Sequence, residues 1–599
     1  MKKIYDAIII GSGAAGYAAA DRLFCEGVTN IAVVTEGRLS GTSRNTGSDK
    51  QTYYKLAMDG CSEDSARKMA LDICSGGSCD GEKAYIQAVN SQRCFLRLCE
   101  YGVKFPTDSF GGFPGYKTDH DSSMRATSAG PLTSKFMTQA LEDVVLNKNA
   151  TPLLDNLQVI KIVTEGIKDR RVCGIVALNR KTGQPESIFA KNIIVASGAP
   201  ACIYERSVYP ESQHGMTGVL ISAGVRLCNF SQWQYGLAST DFRWNVSGSF
   251  MQVIPRFVSV GEDSDEREFL PEYAGSAEAA NNLVFLKGYQ WPFCSERTEG
   301  SSKIDLAVDE QIRNGRRVYL DYTKNPEGFA FSSLSDEALG YLENAGAEAE
   351  TPIERLALLN PKAIAVYAGH GIDLRSQRLR IGVCAQHNNG GVYTDCDYQT
   401  NIEGLYVIGE AAGSFGLARP GGSALNDTQV GALVCARRIK NHISREINRD
   451  AVIDEEKRYA AKVSGFKTAP EVDYSYIPRK MSNFAAFIRD KEKCEALLGE
   501  ITALLKTYPA KHRGIEQYFY DLDMLICARA LLKTVLLEMP LTGSRGGAVF
   551  ADGGKIVPEN RKYREYLTIT DGEEISFEKT SPVPLPDGAF EKYLAETEV

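Results

Sequence analysis

The stretch Asp6-Ala-Ile-Ile-Ile-Gly-Ser-Gly-Ala-Ala-Gly16 decides the fold of this chain. Ile8, Ile9 and Ile10 form an unbroken apolar run suited to a parallel strand buried on both faces. Gly11, Gly13 and Gly16 follow in the G-x-G-x-x-G spacing. That spacing permits a tight turn, close approach of backbone to a pyrophosphate, and close packing of helix on strand. The pattern predicts a helix over 14–24, whose first residues, Ala14 and Ala15, offer its N-terminus to phosphate. Residues 31–34 read as the next strand. Glu36, roughly 20 residues past the glycines, stands where a carboxylate bonds a ribose hydroxyl. Strand, glycine turn, helix, strand and acid together specify a dinucleotide-binding unit at the start of an α/β fold.

At 599 residues the chain is too long for one compact core, so several domains are expected. A hydrophobic content of 43% and a charged content of 24% are ordinary for a globular protein. The net charge of −8 and the lack of a long basic run argue against nucleic acid or an anionic membrane as the main partner. No apolar stretch has the length of a membrane span. The first strand begins by Tyr5, which leaves no room for a signal peptide, and a cytoplasmic location is expected. The 15 cysteines are scattered. Cys74 and Cys79, and Cys94 and Cys99, form C-x4-C pairs, but no compact four-cysteine run exists for an iron–sulfur cluster. Reduced cysteines and no metal site are expected.

A second segment lies almost four hundred residues later. It reads Gly404-Leu-Tyr-Val-Ile-Gly-Glu-Ala-Ala-Gly413, followed by Arg419-Pro-Gly-Gly-Ser-Ala-Leu425. Between the two, residues 37–55 are polar and loop-like. Residues 157–178 carry two alternating apolar stretches that read as a hairpin, and 191–198 is a buried strand ending in the small residues Ser197 and Gly198. The character changes from about 233 to 351, where aromatic and charged residues mix around a β-rich piece at 250–260; this reads as an inserted capping domain. Residues 381–393 and 405–409 return to strand character and are expected to complete the first fold. A helix is predicted over 430–446. Helical periodicity dominates 448–540, with the clearest amphipathic run at 518–538, and the tail beyond 544 is rich in turns. The expected architecture is a Rossmann-like domain (1–235 and 355–446), an α+β capping domain (236–354) and a C-terminal helical domain (447–599).

The chain resembles the flavoprotein subunits of the succinate dehydrogenase and fumarate reductase family, which includes L-aspartate oxidase and, more distantly, the adenylylsulfate reductase flavoprotein. The resemblance spans most of the chain and is strongest over 369–395, 404–425 and 522–547. It implies FAD as cofactor, a cap over the flavin, and transfer of a hydride between flavin N5 and a carbon–carbon bond activated by a carboxylate or carbonyl. His387, in Gln386-His387-Asn-Asn-Gly390, matches the family histidine that binds a substrate carboxylate. Arg419 matches the arginine that clamps one, a task suited to its planar fork. Gly409 and Glu410 match the ribitol-binding turn. Gly422, Ser423, Ala424 and Leu425 open a helix toward the pyrimidine edge of the flavin. Gly37, Ser43, Asn45 and Thr46 fall on the loop that passes along the isoalloxazine.

The departures from the family pattern are informative. Gln234 stands where a second substrate-binding histidine belongs, in Phe230-Ser-Gln-Trp233-Gln234-Tyr235. The Thr-Glu pair for a second carboxylate falls near Ile254-Pro255-Arg256, and the proton-donating arginine falls near Ser301-Ser302-Lys303. No histidine occurs around Ser43-Arg44-Asn45-Thr46 to hold FAD covalently, so the cofactor is expected to be non-covalent. One carboxylate clamp is kept and the other lost, which disfavours fumarate because an unpaired desolvated carboxylate costs several kcal/mol. Trp233, Gln234, Tyr235, Trp244 and Arg256 suggest a larger or aromatic unsaturated acid or carbonyl compound, with Lys303 or Tyr235 as proton donor. Three alternatives accompany this reading: an amino-acid oxidase acting on a C–N bond, an oxyanion reductase like adenylylsulfate reductase, and an electron-transfer subunit. Electrons would come from a partner protein, a soluble flavin or NAD(P)H, with an iron–sulfur or ferredoxin-like partner implied by the resemblance.

Overall fold

The computed structural model describes residues 2–59, 63–509 and 511–585. Its first sheet is mixed and built around the strand Pro185–Val195. The N-terminal strand Ile4–Ile10 runs parallel to it, with Ile10 opposite Val195. On the far side of that central strand lies Leu405–Val407, also parallel, with Leu405 opposite Ile193. The two segments four hundred residues apart therefore flank one strand, which is why their glycine turns face a common space. Ile31–Val34 continues the sheet beyond Ile4–Ile10. The predicted hairpin is present as Leu157–Glu165 and Arg171–Asn179, paired antiparallel.

The helix Ala14–Cys25 lies against a second, later helix, Ser423–Lys440. Gln429 Nε2 donates to the Ala14 carbonyl at 3.4 Å. A Cβ built on Gly409 would sit 3.0 Å from that of Ala15, so the turn and the helix close on each other. Ile8, Ile9, Ala19, Ala20 and Leu23 are fully buried in this layer. At about 1.5–3 kcal/mol for each large apolar side chain, such burial holds the sheet to its helices.

A six-stranded antiparallel sheet forms the second layer. Its order is Trp244–Asn245, Trp233–Ser239, Leu379–Asn388, Arg317–Asp321, Arg256–Val260 and Glu266–Glu268. This differs from the sequence expectation in two ways. Residues 381–388 join this sheet rather than completing the first one, and the strand Trp233–Ser239 crosses the expected boundary at 235. Both strands alternate small and apolar residues and pair with each other from Ser239↔Ile381 to Trp233↔Asn388. The β-rich piece at 250–260 begins with a short helix, Ser249–Gln252, before its strand.

The C-terminal region is helical, as its periodicity indicates, but its longest helix, Ile515–Thr542, buries residues on every side. It is a core helix and not an amphipathic surface one. The tail also departs from the expectation of turns alone: Tyr566–Thr570 and Ile575–Lys579 pair with each other. The first of these also pairs antiparallel with Leu227–Cys228. Among the described residues no helix is long and apolar enough to cross a membrane, and no cluster of His, Cys, Asp and Glu is arranged to hold a metal.

Candidate active site

A large cavity of about 650 Å³ runs from the N-terminal glycine turn to the interface between the two sheets. Gly11, Gly13, Ala14 and Ala15 line one end. Gly11 has φ +115°, and a Cβ there would lie 2.4 Å from the Ala196 carbonyl oxygen. A Cβ on Gly16 would lie 1.9 Å from the Gly11 oxygen, so Gly16 serves the packing of helix on turn without itself touching the cavity. No side chain caps the helix at Gly13, although Ser43 Oγ accepts from the Ala14 N–H at 3.2 Å. Ser197 lines the cavity, and its buried hydroxyl has no hydrogen-bond partner in the protein. A glycine cradle, a helix N-terminus without its own cap and an orphaned hydroxyl fit a phosphate-bearing dinucleotide.

Glu36 and Gly37 reach the same cavity. Glu36 Oε2 accepts from Tyr520 Oη at 3.0 Å and approaches His214 Nδ1 at 3.4 Å, while His214 stacks on Tyr520 at 3.8 Å between centroids. The C-terminal helix thus orients the acid at the end of the second strand. Ser43, Thr46 and Gly198 also line the space. Asn45 does not: its amide donates to the carbonyls of Leu39 and Gly41, both at 2.9 Å, and staples its own loop. Gln213 is a contributor that the sequence did not mark. It accepts from Thr42 Oγ1 at 3.0 Å and donates to the Ser197 carbonyl at 2.7 Å, joining the polar loop to the strand end.

At the other end, His387, Glu410 and Arg419 converge on the cavity with Gly422, Ala424 and Leu425. Gly422, at φ +90°, caps the helix that begins at Ser423. Ser423 lies behind the wall, bonding the Pro420 carbonyl at 2.8 Å, and Gly409 likewise shapes its turn from behind. Arg419 Nε approaches His387 Nδ1 at 3.4 Å, and the guanidinium lies 5.5 Å from the centroid of the Phe415 ring. Tyr209 Oη donates to Glu410 Oε1, as does the Asn388 N–H at 3.0 Å. His387 Nε2 lies 3.8 Å from Glu410 and has no hydrogen-bond partner.

Burial sets the charges here. Desolvation, with Arg419 nearby, holds His387 well below its ordinary pKa, so the imidazole is neutral. Desolvation raises Glu410 to about 7 against the bonds from Tyr209 and Asn388 and the charge of Arg419. Arg419 is pulled down to about 10 by the same burial but stays a cation at neutral pH. Among the described residues no carboxylate lies within ion-pair distance of Arg419. The result is a half-buried, desolvated cation with a largely unused fork, facing a cavity.

The second sheet, whose strand Leu379–Asn388 also carries His387, and its helices form a further wall. Gln234, Asn245, Gln252, Tyr289, Trp291, Tyr341 and Gln386 line it, all uncharged. Tyr341 Oη donates to Gln252 Oε1 at 3.0 Å, and Trp291 Nε1 donates to the Leu237 carbonyl at 3.4 Å. A third wall, at 49–52 and 116–119, brings Lys50, Tyr116, Lys117 and Asp119. Desolvation raises the Asp119 carboxyl to about 6, partly countered by Arg297 and Lys287.

Several expected contributors lie elsewhere. Tyr235 is fully buried, and its hydroxyl bonds Tyr204 Oη at 2.9 Å inside the core. Lys303 opens the helix Lys303–Arg313 and pairs with exposed Glu299 at 3.1 Å. Neither lines the cavity, so neither is placed to donate a proton there. Trp233 bonds the Phe230 carbonyl at 3.2 Å in the core, and Trp244 stacks on Phe242. Arg256 pairs with Glu266, Glu268 and Asp321 on neighbouring strands. Of the five residues expected to reshape the pocket, only Gln234 reaches it.

The fold and the cradle define an FAD-dependent oxidoreductase. The sequence profile described as "FAD binding domain" matches residues 6–425, and the chain belongs to that family. The chain is 25% identical over 511 residues to a subunit of the fumarate reductase (CoM/CoB) of Methanothermobacter marburgensis, covering 84% of each. It is 24% identical to the L-aspartate oxidase of Yersinia pestis, covering 68% of this chain and 69% of that one. In fold it is similar to a chain of E. coli quinol fumarate reductase, with a TM-score of 0.74, 17% identity and 98% of both chains covered.

Proposed function

We propose that the protein adds or removes hydrogen across a carbon–carbon bond next to a carboxylate, in a substrate that carries one carboxylate and a large, uncharged or aromatic remainder. The observation that carries this reading is the asymmetry of the cavity. Arg419, with no carboxylate within ion-pair distance among the described residues, stands beside neutral His387, and apart from Glu410 and the wall with Asp49, Lys50, Lys117 and Asp119 the lining around them is neutral amides and the rings of Tyr289, Trp291 and Tyr341.

FAD, held without a covalent bond, supplies the two-electron chemistry when bound. Gly11, Gly13, Ala14 and Ala15 would hold its pyrophosphate, Glu36 a ribose, and Thr46, Gly198, Glu410, Ala424 and Leu425 the remainder. Arg419 grips the substrate carboxylate through its fork and stabilises negative charge that develops there. His387 presents Nε2 to the same end; as a neutral ring whose Nδ1–H donates to Asn389 Oδ1 at 3.1 Å, it offers Nε2 as a hydrogen-bond acceptor. Asp119 takes the role of proton donor that Lys303 and Tyr235 do not fill, because desolvation keeps its acid form populated up to about pH 6. The electron donor would be a partner protein of the iron–sulfur or ferredoxin-like class.

Substituting Arg419→Lys tests the reading. Lysine keeps the charge and loses the fork, so about 1.5–3 kcal/mol of charge-assisted bonding is at stake. Cinnamate, titrated by its perturbation of the flavin spectrum, should bind at least about tenfold more weakly. Unchanged affinity would reject a carboxylate at Arg419. The amino-acid oxidase reading keeps the same arginine but requires a substrate amine; turnover of an amino acid and not of an unsaturated acid would favour it.

A further inference from the structure

Cys74 and Cys79, the C-x4-C pair, lie on no cofactor or substrate wall. Their sulfurs are 2.8 Å apart, well inside the contact distance of two unbonded sulfur atoms. Each is fixed from its own side. Cys74 ends the helix Ala66–Ile73, with its N–H on the Ala70 carbonyl at 3.1 Å. Cys79 precedes Asp80, which caps the helix Gly81–Glu100 through the Lys83 N–H at 3.0 Å. Cys74 is partly exposed and Cys79 is buried.

The loop between them is clamped against the segment that leads into Arg419. The Leu417 N–H donates to the Gly77 carbonyl at 3.0 Å. Asn229 Nδ2 bridges the Ser78 carbonyl at 2.8 Å and the Phe415 carbonyl at 3.2 Å. A Cβ on Gly416 would fall 2.0 Å from the Gly77 oxygen, and one on Gly76 would fall 2.7 Å from the Ala418 nitrogen. Residues 415–418 thus rest directly on the cysteine loop, and the next residue is the cavity arginine.

We propose that Cys74 and Cys79 are a reversible dithiol–disulfide site whose oxidation braces the segment carrying Arg419. Closing the pair from 2.8 Å to a bond of about 2.0 Å needs only a small movement between two anchored helix ends. The oxidant is an external disulfide. Partly exposed Cys74, as thiolate, attacks one sulfur of that disulfide and releases a thiol. Cys79 then attacks the Cys74 sulfur of the mixed disulfide and releases the second thiol. The two cysteines lose two electrons, the external disulfide gains them, and the two S–H protons end on the released thiols. An external dithiol runs the exchange backwards. The sulfur chemistry stands apart from the carboxylate reading; only the bracing of Arg419 rests on it.

Full-length holoprotein equilibrated across a series of oxidised and reduced glutathione tests both parts. The peptide holding Cys74 and Cys79 should lose the mass of two hydrogens and recover it on reduction. The Cys79→Ser variant should instead keep glutathione on Cys74, because the buried resolving thiol is gone. Cinnamate should bind the oxidised holoprotein at least about threefold more tightly than the reduced one, a difference absent from the Cys74→Ser variant. A pair that stays as two thiols at every glutathione ratio overturns the site. A disulfide that forms and leaves a measurable cinnamate affinity unchanged overturns the bracing. Absence of cinnamate binding in both redox forms would count against the carboxylate end of the cavity, and the mass readout would still decide the site.

Discussion

Replacing Glu410 by glutamine should abolish a pH dependence of carboxylate binding that the wild-type site builds in. Burial holds the Glu410 carboxyl near 7. Below that pH it is neutral, and the cluster of Glu410, neutral His387 and Arg419 carries a net charge of +1. Above it Glu410 ionises, the cluster is neutral overall, and an incoming carboxylate meets a competing anion. Raising a carboxyl pKa in the protein favours its acid form, so the affinity is greatest at low pH and falls as pH rises through 7. With a pKa near 7 the acid form makes up about nine-tenths of the protein at pH 6 and about one-tenth at pH 8. If the acid form alone binds, affinity should fall about tenfold across that range, or about 1.4 kcal/mol. Cinnamate is ionised throughout, so its spectral titration at constant ionic strength isolates the protein's proton. Glu410→Gln keeps the shape and can still accept from Tyr209 and the Asn388 N–H. It should bind with a flat profile near the wild-type pH 6 affinity. A wild-type profile that is flat or rises with pH, or a Gln variant that keeps the slope, would show that the Glu410 proton does not control binding.

Two other substitutions probe different parts of the site. Asp119→Asn should slow single-turnover reoxidation of the reduced flavin by about a hundredfold or more while leaving cinnamate affinity in place; the wild-type rate should also decline above pH 6 as the acid form fades, and the variant should not. Gly16→Ala puts a methyl 1.9 Å from the Gly11 oxygen. Overpacking of this kind costs about 1–3 kcal/mol, and the purified variant should hold at least tenfold less flavin at equal free FAD.

The parts of the fold that are legible in the sequence are those coded locally. Ile8–Ile10, the glycine spacing and residues 31–34 each act within a few residues of chain, and the strands and helix lie where they indicate. The pairing of the first strand and 405–407 with one central strand is a long-range fact, hinted at only by the recurrence of apolar strand and glycine turn. The cap wall is harder to read. Trp233, Gln234 and Tyr235 alternate on one strand, so Gln234 faces the cavity because its neighbours face the core. The sequence shows the alternation but not which face is which. Lys303 is expected only from its place near Ser301-Ser302, which says nothing of side-chain direction; the helix it opens pairs it with Glu299. Gln252, the turn that carries Tyr289 and Trp291, and Tyr341 lie far apart in the chain without a shared motif, and only tertiary packing brings them together. Asp119 sits in a stretch of loop with no periodicity to flag it.

Reoxidation of the flavin tests the monocarboxylate reading at its centre. The protein, purified and reduced with dithionite under anaerobic conditions, would be mixed with fumarate, with cinnamate and other bulky enoates, and with enones that lack a carboxylate. A bulky unsaturated monocarboxylate should reoxidise the flavin fast, and fumarate and the enones should do so slowly. Fast reoxidation by fumarate, with none by the larger acids, would contradict the reading.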